Sequence, residues 1–106
     1  MNENLKQLYE QLGRGLFFML GAYNQQYDNK ESFLSFRIKG SRKVNYIRIT
    51  YDIAHDLYNL HFSRIGRKFE EKDIQELNGI YSDQLHDLIE EYTELSVRVP
   101  KIIFTN

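Results

Sequence analysis

The chain contains no cysteine. That excludes a disulfide framework, a thiolate zinc site and a cysteine nucleophile. Proline is nearly absent too, with Pro100 alone near the C-terminal end. No stretch approaches the roughly 18 apolar residues of a membrane-crossing helix. The longest apolar run is Leu16-Phe17-Phe18-Met19-Leu20. The polar start, Met1-Asn2-Glu3-Asn4, lacks the basic n-region of a secretory signal. The expectation is a cytoplasmic protein with no membrane partner.

Catalytic signatures are scarce as well. Gly13-Arg14-Gly15-Leu16-Phe17-Phe18 lacks the third glycine of a dinucleotide fingerprint, and the segment before it reads as helix rather than strand. No serine sits in a Gly-x-Ser-x-Gly elbow. His55 and Asp56 are neighbours in a turn. Asp83, His86, Asp87 and Glu90 share one side of a helix and have metal-ligand chemistry. That side lies opposite the Leu85/Leu88 seam and is expected to face water. No catalytic residue, metal or cofactor is assigned, and the chain is not expected to be an enzyme.

What is present is an ordinary globular composition: 106 residues, 42% hydrophobic and 27% charged. Eight tyrosines and seven phenylalanines supply a core. One domain over residues 1–106 is expected.

Leu5, Leu8, Leu12, Leu16, Met19 and Tyr23 recur at steps of three and four, which predicts a helix from about 2 to 23. Asn2 or Asn4 can cap it. Gly13 and Gly15 each cost about 1 kcal/mol against alanine within a helix, so a kink is expected there. It would serve either as a hinge or, more plainly, as close helix-on-sheet packing. Residues 24–31 are polar and read as a loop.

The period then becomes two. Leu34, Phe36 and Ile38 alternate with Ser35, Arg37 and Lys39. After a tight turn at Gly40-Ser41-Arg42, Ile47, Ile49 and Tyr51 alternate with Tyr46, Arg48 and Thr50. Tyr58, Leu60 and Phe62 alternate with Asn59, His61 and Ser63. These are three half-buried strands, and their short connections make them antiparallel. Residues 64–79 are ambiguous, with a helical turn at Lys72 to Leu77 and a break at Asn78-Gly79. Tyr81, Leu85, Leu88, Tyr92 and Leu95 step by four and three, an amphipathic helix. Val97 and Val99 could add a short edge strand, and Ile102, Ile103 and Phe104 should pack somewhere. The expected fold is two-layer α+β, ordered α-β-β-β-α. A three-stranded antiparallel sheet packs on two helices, and its other face is polar and open.

Charge is segregated along the chain. Residues 37–68 hold eight basic and two acidic residues, net +6; residues 69–95 hold one basic and nine acidic, net −8. Arg37, Lys39 and Arg48 are expected on the outer sheet face and Arg42 and Lys43 at a hairpin tip. They are candidates for contact with phosphates or with an acidic partner, and Tyr46 could stack on a base. Asp83, Asp87, Glu90, Glu91 and Glu94 form a candidate acidic contact face. The element order matches that of double-stranded RNA-binding domains, but those domains carry a basic cluster at the start of the final helix. Glu70-Glu71-Lys72-Asp73 and Tyr81-Ser82-Asp83 have the wrong sign.

Several short motifs carry a resemblance. They are Gly15-Leu16-Phe17 with Met19-Leu20-Gly21-Ala22, Asn45-Tyr46-Ile47-Arg48-Ile49-Thr50, Asp56-Leu57-Tyr58-Asn59-Leu60-His61-Phe62 and Ile80-Tyr81-Ser82-Asp83-Gln84-Leu85. Over residues 12–93 they resemble small proteins encoded by phages and other mobile elements. Thr93-Glu94-Leu95 departs from the Thr-Gly-Leu-type ending usual in that group. The resemblance implies a small accessory role and transfers no catalytic residue. The leading expectation is a non-enzymatic protein that binds a host or element-encoded protein, inhibition of a host defence or regulatory factor included. Phe17, Phe18, Ile80 and Ile89 flank the two seams as surplus apolar surface, which suggests a partner or a homodimer. The alternative is a nucleic-acid-binding module using the basic sheet face.

Overall fold

The computed structural model describes residues 1–97. Helix α1 spans Glu3–Met19. Five strands follow: β1 Tyr23–Asp28, β2 Phe33–Arg37, β3 Tyr46–Asp52, β4 Leu57–Ile65 and β5 Glu71–Ile80. A 3-10 turn at Ser82–Gln84 leads into α2, Leu85–Thr93. The strands form one antiparallel sheet in the order β1-β2-β3-β4-β5. The α+β class and the two helices are as expected, but the sheet has five strands rather than three.

Strands β2, β3 and β4 follow from alternation. Leu34, Phe36, Ile47, Ile49, Tyr58, Leu60 and Phe62 are buried against the helices. From α1, Leu5, Leu8, Leu12, Leu16, Phe17 and Leu20 join them, and from α2, Leu85 and Ile89. Phe17 stacks on Tyr9 and meets Phe36 edge-on, each at 5.1 Å between ring centres. Phe62 stacks on Tyr92 at 5.2 Å. Such aromatic pairs add to the transfer free energy of burial.

The two additional strands replace an expected loop and an expected helical turn. Strand β1 is polar because it is an edge strand whose side chains are mostly exposed; pairing with β2 satisfies its backbone without apolar side chains. Its turn into β2 is fixed by Asp28, whose Oδ1 accepts from the Lys30 and Glu31 amides at 2.8 and 3.0 Å. Strand β5 conceals its period. Irregularities opposite Phe62/Ser63 and Tyr58/Leu60 each insert one extra residue. The apolar residues that reach the core, Ile74, Leu77 and Ile80, therefore lie three apart, a spacing that imitates a helix. Gly79 takes φ +69° in the second bulge, and its amide donates to Asn59 Oδ1 at 3.1 Å.

The expected tight turn at Gly40-Ser41-Arg42 is instead a longer connection over residues 38–45. Ile38 and Val44 are buried in it, and Ser41 Oγ accepts from the Lys43 and Val44 amides. Helix α1 ends earlier than expected, and the Lys39 amide ties its last carbonyls to this connection by donating to Leu20 O at 3.1 Å.

Asn2 caps α1. Its Oδ1 accepts from the Leu5 amide at 2.8 Å, while Nδ2 donates to Asn29 O and Ser32 Oγ. One side chain thus joins the helix start to the β1–β2 turn. The kink expected near the glycines falls at Gly13, with φ +77° and ψ 155°. There the Leu12 carbonyl accepts from His86 Nε2 of α2 at 3.0 Å. A carbonyl can only accept, so Nε2 carries the proton.

The α2 seam also differs. Leu85, Ile89 and Thr93 are buried, with Leu88, Tyr92 and Leu95 packed beside them, while Tyr81 is 63% exposed. Of the four residues expected to be surplus, Phe17 and Ile89 are core, Ile80 is half-buried and Phe18 is 81% exposed. Val97 is buried but lies in no strand. Val99 and the apolar residues Ile102, Ile103 and Phe104 lie outside the described residues. Among the described residues no helix is long and apolar enough to cross a membrane.

Gly13 generates a stability prediction. A Cβ there would meet nothing within 4 Å, so replacement by alanine is opposed by backbone conformation and not by crowding. Gly13→Ala should lower the unfolding free energy by about 1–3 kcal/mol, read as a fall in urea midpoint at constant m. A variant as stable as the parent would mean that α1 runs straight through this position.

Candidate interaction surface

Both helices lie on one face of the sheet, and the register determines what stands on the other. One row of cross-strand neighbours reads Tyr23, Arg37, Tyr46, Ser63 and Asp73 from β1 to β5. The next reads Gln26, Ser35, Arg48, His61 and Glu76. Each row places its arginine on β2 or β3 and its carboxylate on β5.

The arginines do not extend freely into water. Arg48 lies with its guanidinium carbon 4.6 Å from the Phe33 ring centre and 5.8 Å from that of Tyr46, and Nη2 donates to Tyr46 Oη at 3.2 Å. Two aromatic faces therefore hold one cation. Arg37 and Arg48 are both half-buried. Their Nε atoms are shielded from solvent and have no hydrogen-bond partner among the described residues. The serines of the same two rows are buried: Ser35 is 3% exposed and Ser63 0%.

Towards β5 the face becomes acidic. His61 Nε2 donates to Asp73 Oδ1 at 2.8 Å, and Ser63 Oγ donates to Glu71 Oε1 at 2.7 Å. His61, Glu71 and Asp73 bring their ligand-type atoms within 4.8 Å of one another, a donor set suited to a divalent cation. Two of the three are already joined to each other and the third to Ser63. Arg48 is the cross-strand neighbour of His61 and sets a permanent positive charge beside them. The arrangement works as a hydrogen-bonded patch.

The sequence-predicted site residues separate into groups. Arg37, Tyr46 and Arg48 share the outer face, as alternation requires. Tyr46, the candidate for stacking on a base, has the Arg48 guanidinium 5.8 Å from its ring centre. Lys39 lies just past β2, exposed, with Nζ 5.0 Å from the Tyr23 ring centre. Arg42 and Lys43 are exposed on the β2–β3 connection, and Lys43 Nζ pairs with Glu94 Oε1 at 2.7 Å. The basic tip and the end of the acidic helix therefore meet.

On α2, Asp83, Asp87, Glu91 and Glu94 are exposed. Glu90 is half-buried and its Oε1 accepts from the Val97 amide at 3.0 Å. The side carrying Asp83, His86, Asp87 and Glu90 is thus not wholly turned to water: His86 is bound to α1 and Glu90 to the segment after α2. Sequence reasoning missed Glu71, Asp73 and Glu76 as members of the outer face because β5 was not read as a strand, and Phe33 because the alternation of β2 was read from Leu34.

A second polar feature lies at the β3–β4 turn. A cleft of about 380 Å³ is lined by Gln7, Gln11, His55, Asp56, Tyr58 and Tyr81, among others. Tyr51 Oη donates to Asp56 Oδ1 at 2.6 Å, and this bond pushes the Tyr51 phenol up to about 12. His55 Nδ1 donates to Asp52 Oδ2 at 2.8 Å and holds that carboxyl below its usual range. Burial raises Tyr58. Each shift moves a group away from neutrality, whereas acid–base catalysis favours groups tuned towards it. The bonds act as latches on the turn.

The Tyr51 latch has a defined pH range. A phenol raised in the folded state contributes stability below its ordinary value of 10.0, and that contribution is lost as pH rises through about 12. Asp56→Asn should return the Tyr51 titration towards 10.0, observed by NMR of labelled tyrosine. An unshifted titration would remove Asp56 as the cause.

Comparison with protein-family models, with curated proteins and with solved structures gives no match to this chain.

Proposed function

We propose that this protein is a non-enzymatic accessory protein of a phage or other mobile element, acting by docking another protein on the sheet face opposite the two helices. One observation carries the reading. Arg37 and Arg48 lie half-buried on this face, each with an Nε that has no partner among the described residues, and Arg48 lies against the Phe33 and Tyr46 rings. A donor shielded from water and left unpaired is costly, and a partner's carbonyl or carboxylate that turns the guanidinium outward and pairs with it removes the cost. Arginine and tyrosine are also the residue types that concentrate binding energy at interfaces. The Arg48 and Tyr46 side chains are already held against each other, so docking on them loses less rotamer freedom.

A nucleic-acid backbone suits this face less well. Glu71, Asp73 and Glu76 share it with the arginines, Arg48 lies against the Tyr46 ring, and Lys43 is paired with Glu94. The second reading keeps the exposed Lys39, Arg42 and Lys43 as phosphate contacts.

A photo-crosslinking residue at Thr50, on the outer face, should trap a protein, whether a component of host lysate or a second copy of the chain. The same residue at Glu10, exposed on α1, should not, and Arg37→Glu should reduce the yield by about tenfold, the effect of a lost charged contact. Equal trapping at Thr50 and Glu10 overturns the reading. Labelled DNA and RNA in a salt series test the other one. Affinity that falls steeply with salt and disappears in Arg42→Glu/Lys43→Glu moves the function to nucleic acid.

A further inference from the structure

Along the two rows through Arg37 and Arg48 the charge of this face is divided by strand; Asp28 on β1 and Asp52 on β3 share the face beyond those rows. The cations Arg37 and Arg48 stand on β2 and β3, and the carboxylates Glu71, Asp73 and Glu76 on β5. A partner bearing one sign of charge would be attracted by half of this face and repelled by the other half. The complementary surface must carry the same division in reverse. The same face turned through half a revolution has that property.

We infer that the occupant of this face is a second copy of the chain, packed sheet on sheet about a two-fold axis running along the strands between β3 and β4. The inference rests on the reading of this face as a protein-docking surface. A half-turn about that axis lays β2 of one copy over β5 of the other and β3 over β4. It preserves position along the strands, so residues of one row meet residues of the same row. Arg37 and Asp73 are the second and last members of a single row. Arg37 of each copy therefore stands over Asp73 of the other, and the two-fold makes the contact twice. In the neighbouring row Arg48 stands over His61, with Glu76 one strand beyond.

Facing sheets pack about 10 Å apart and within about 30° of aligned, a gap that arginine and carboxylate side chains span from opposite sides. The half-buried Arg37 guanidinium gains a carboxylate acceptor. Both arginines and the Phe33 and Tyr46 rings leave water together. Phe18, although 81% exposed, is on α1 and takes no part.

The test is sedimentation of the full chain across a concentration series. The parent should form a reversible dimer. Arg37→Glu and Asp73→Arg should each raise the dissociation constant by about tenfold or more, because each sets like charges opposite one another twice. The two variants mixed should associate nearly as tightly as the parent, since both contacts become opposite in sign again. The double variant carrying both changes should do the same. Recovery in the mixture also shows that neither single variant had simply failed to fold.

A parent that remains monomeric at every concentration, or a dimer that both single variants leave unchanged, overturns the inference. The Thr50 crosslink separates the two readings. A monomer that still traps another protein there keeps the face as a docking surface and rejects the second copy. A monomer that traps nothing rejects both.

Discussion

Among the described residues, two helices of 17 and nine residues are laid against a five-stranded sheet, and both are on the same side. Strand alternation decides which side that is. A register shift of one residue in any central strand would turn its leucines and phenylalanines to water and its arginine to the core. The register is fixed from the helix side. The Leu12–His86 bond holds α2 to the kink of α1, and the Asn2 cap holds α1 to the β1–β2 turn. With the helix layer in place the inner face is dry. The outer face has to be managed by its own side chains.

How it is managed explains the outer chemistry. A bare sheet face exposes strands to association with others. Here Ser35 and Ser63 are buried, and Phe33 and Tyr46 hold the Arg48 guanidinium. The geometry satisfies stacking and leaves the two Nε donors dry and unpaired. A face arranged in this way is stable enough to exist alone and retains unfulfilled bonding capacity.

The parts legible in the sequence were those in which one physical signal dominates. Leu34, Phe36, Ile47, Ile49, Leu60 and Phe62 alternate cleanly because they sit over the core. The leucines of α1 step by three and four for the same reason. The edges were illegible because burial does not control them. Strand β1 is Tyr-Asn-Gln-Gln-Tyr-Asp, held by backbone pairing that leaves no side-chain period. In β5 two bulges stretch the spacing of Ile74, Leu77 and Ile80 from two to three. On α2 the steps from Tyr81 suggested a longer helix, but the 3-10 turn at Ser82–Gln84 changes the phase, so that Ile89 and Thr93 face inward and Tyr81 faces out.

The same blindness to β5 hid the character of the candidate surface. Segment charges of +6 and −8 were plain in the sequence, and they suggested a basic sheet opposed by an acidic helix. The structure divides the acidic segment between two places. Its first part is a strand, so Glu71, Asp73 and Glu76 enter the sheet two strands away from Arg48, and only its second part belongs to α2. The sheet face is therefore bipolar rather than basic. A basic face selects for polyanions by charge alone and is indifferent to orientation. A bipolar face is nearly neutral at a distance and discriminates only at contact, where the order of charges along each row must be matched. Steering by net charge is weak in such a case, and affinity depends on register and on the desolvated arginines. Recognition on this surface is accordingly a problem of alignment, which a folded protein surface can solve and a uniform phosphate backbone cannot.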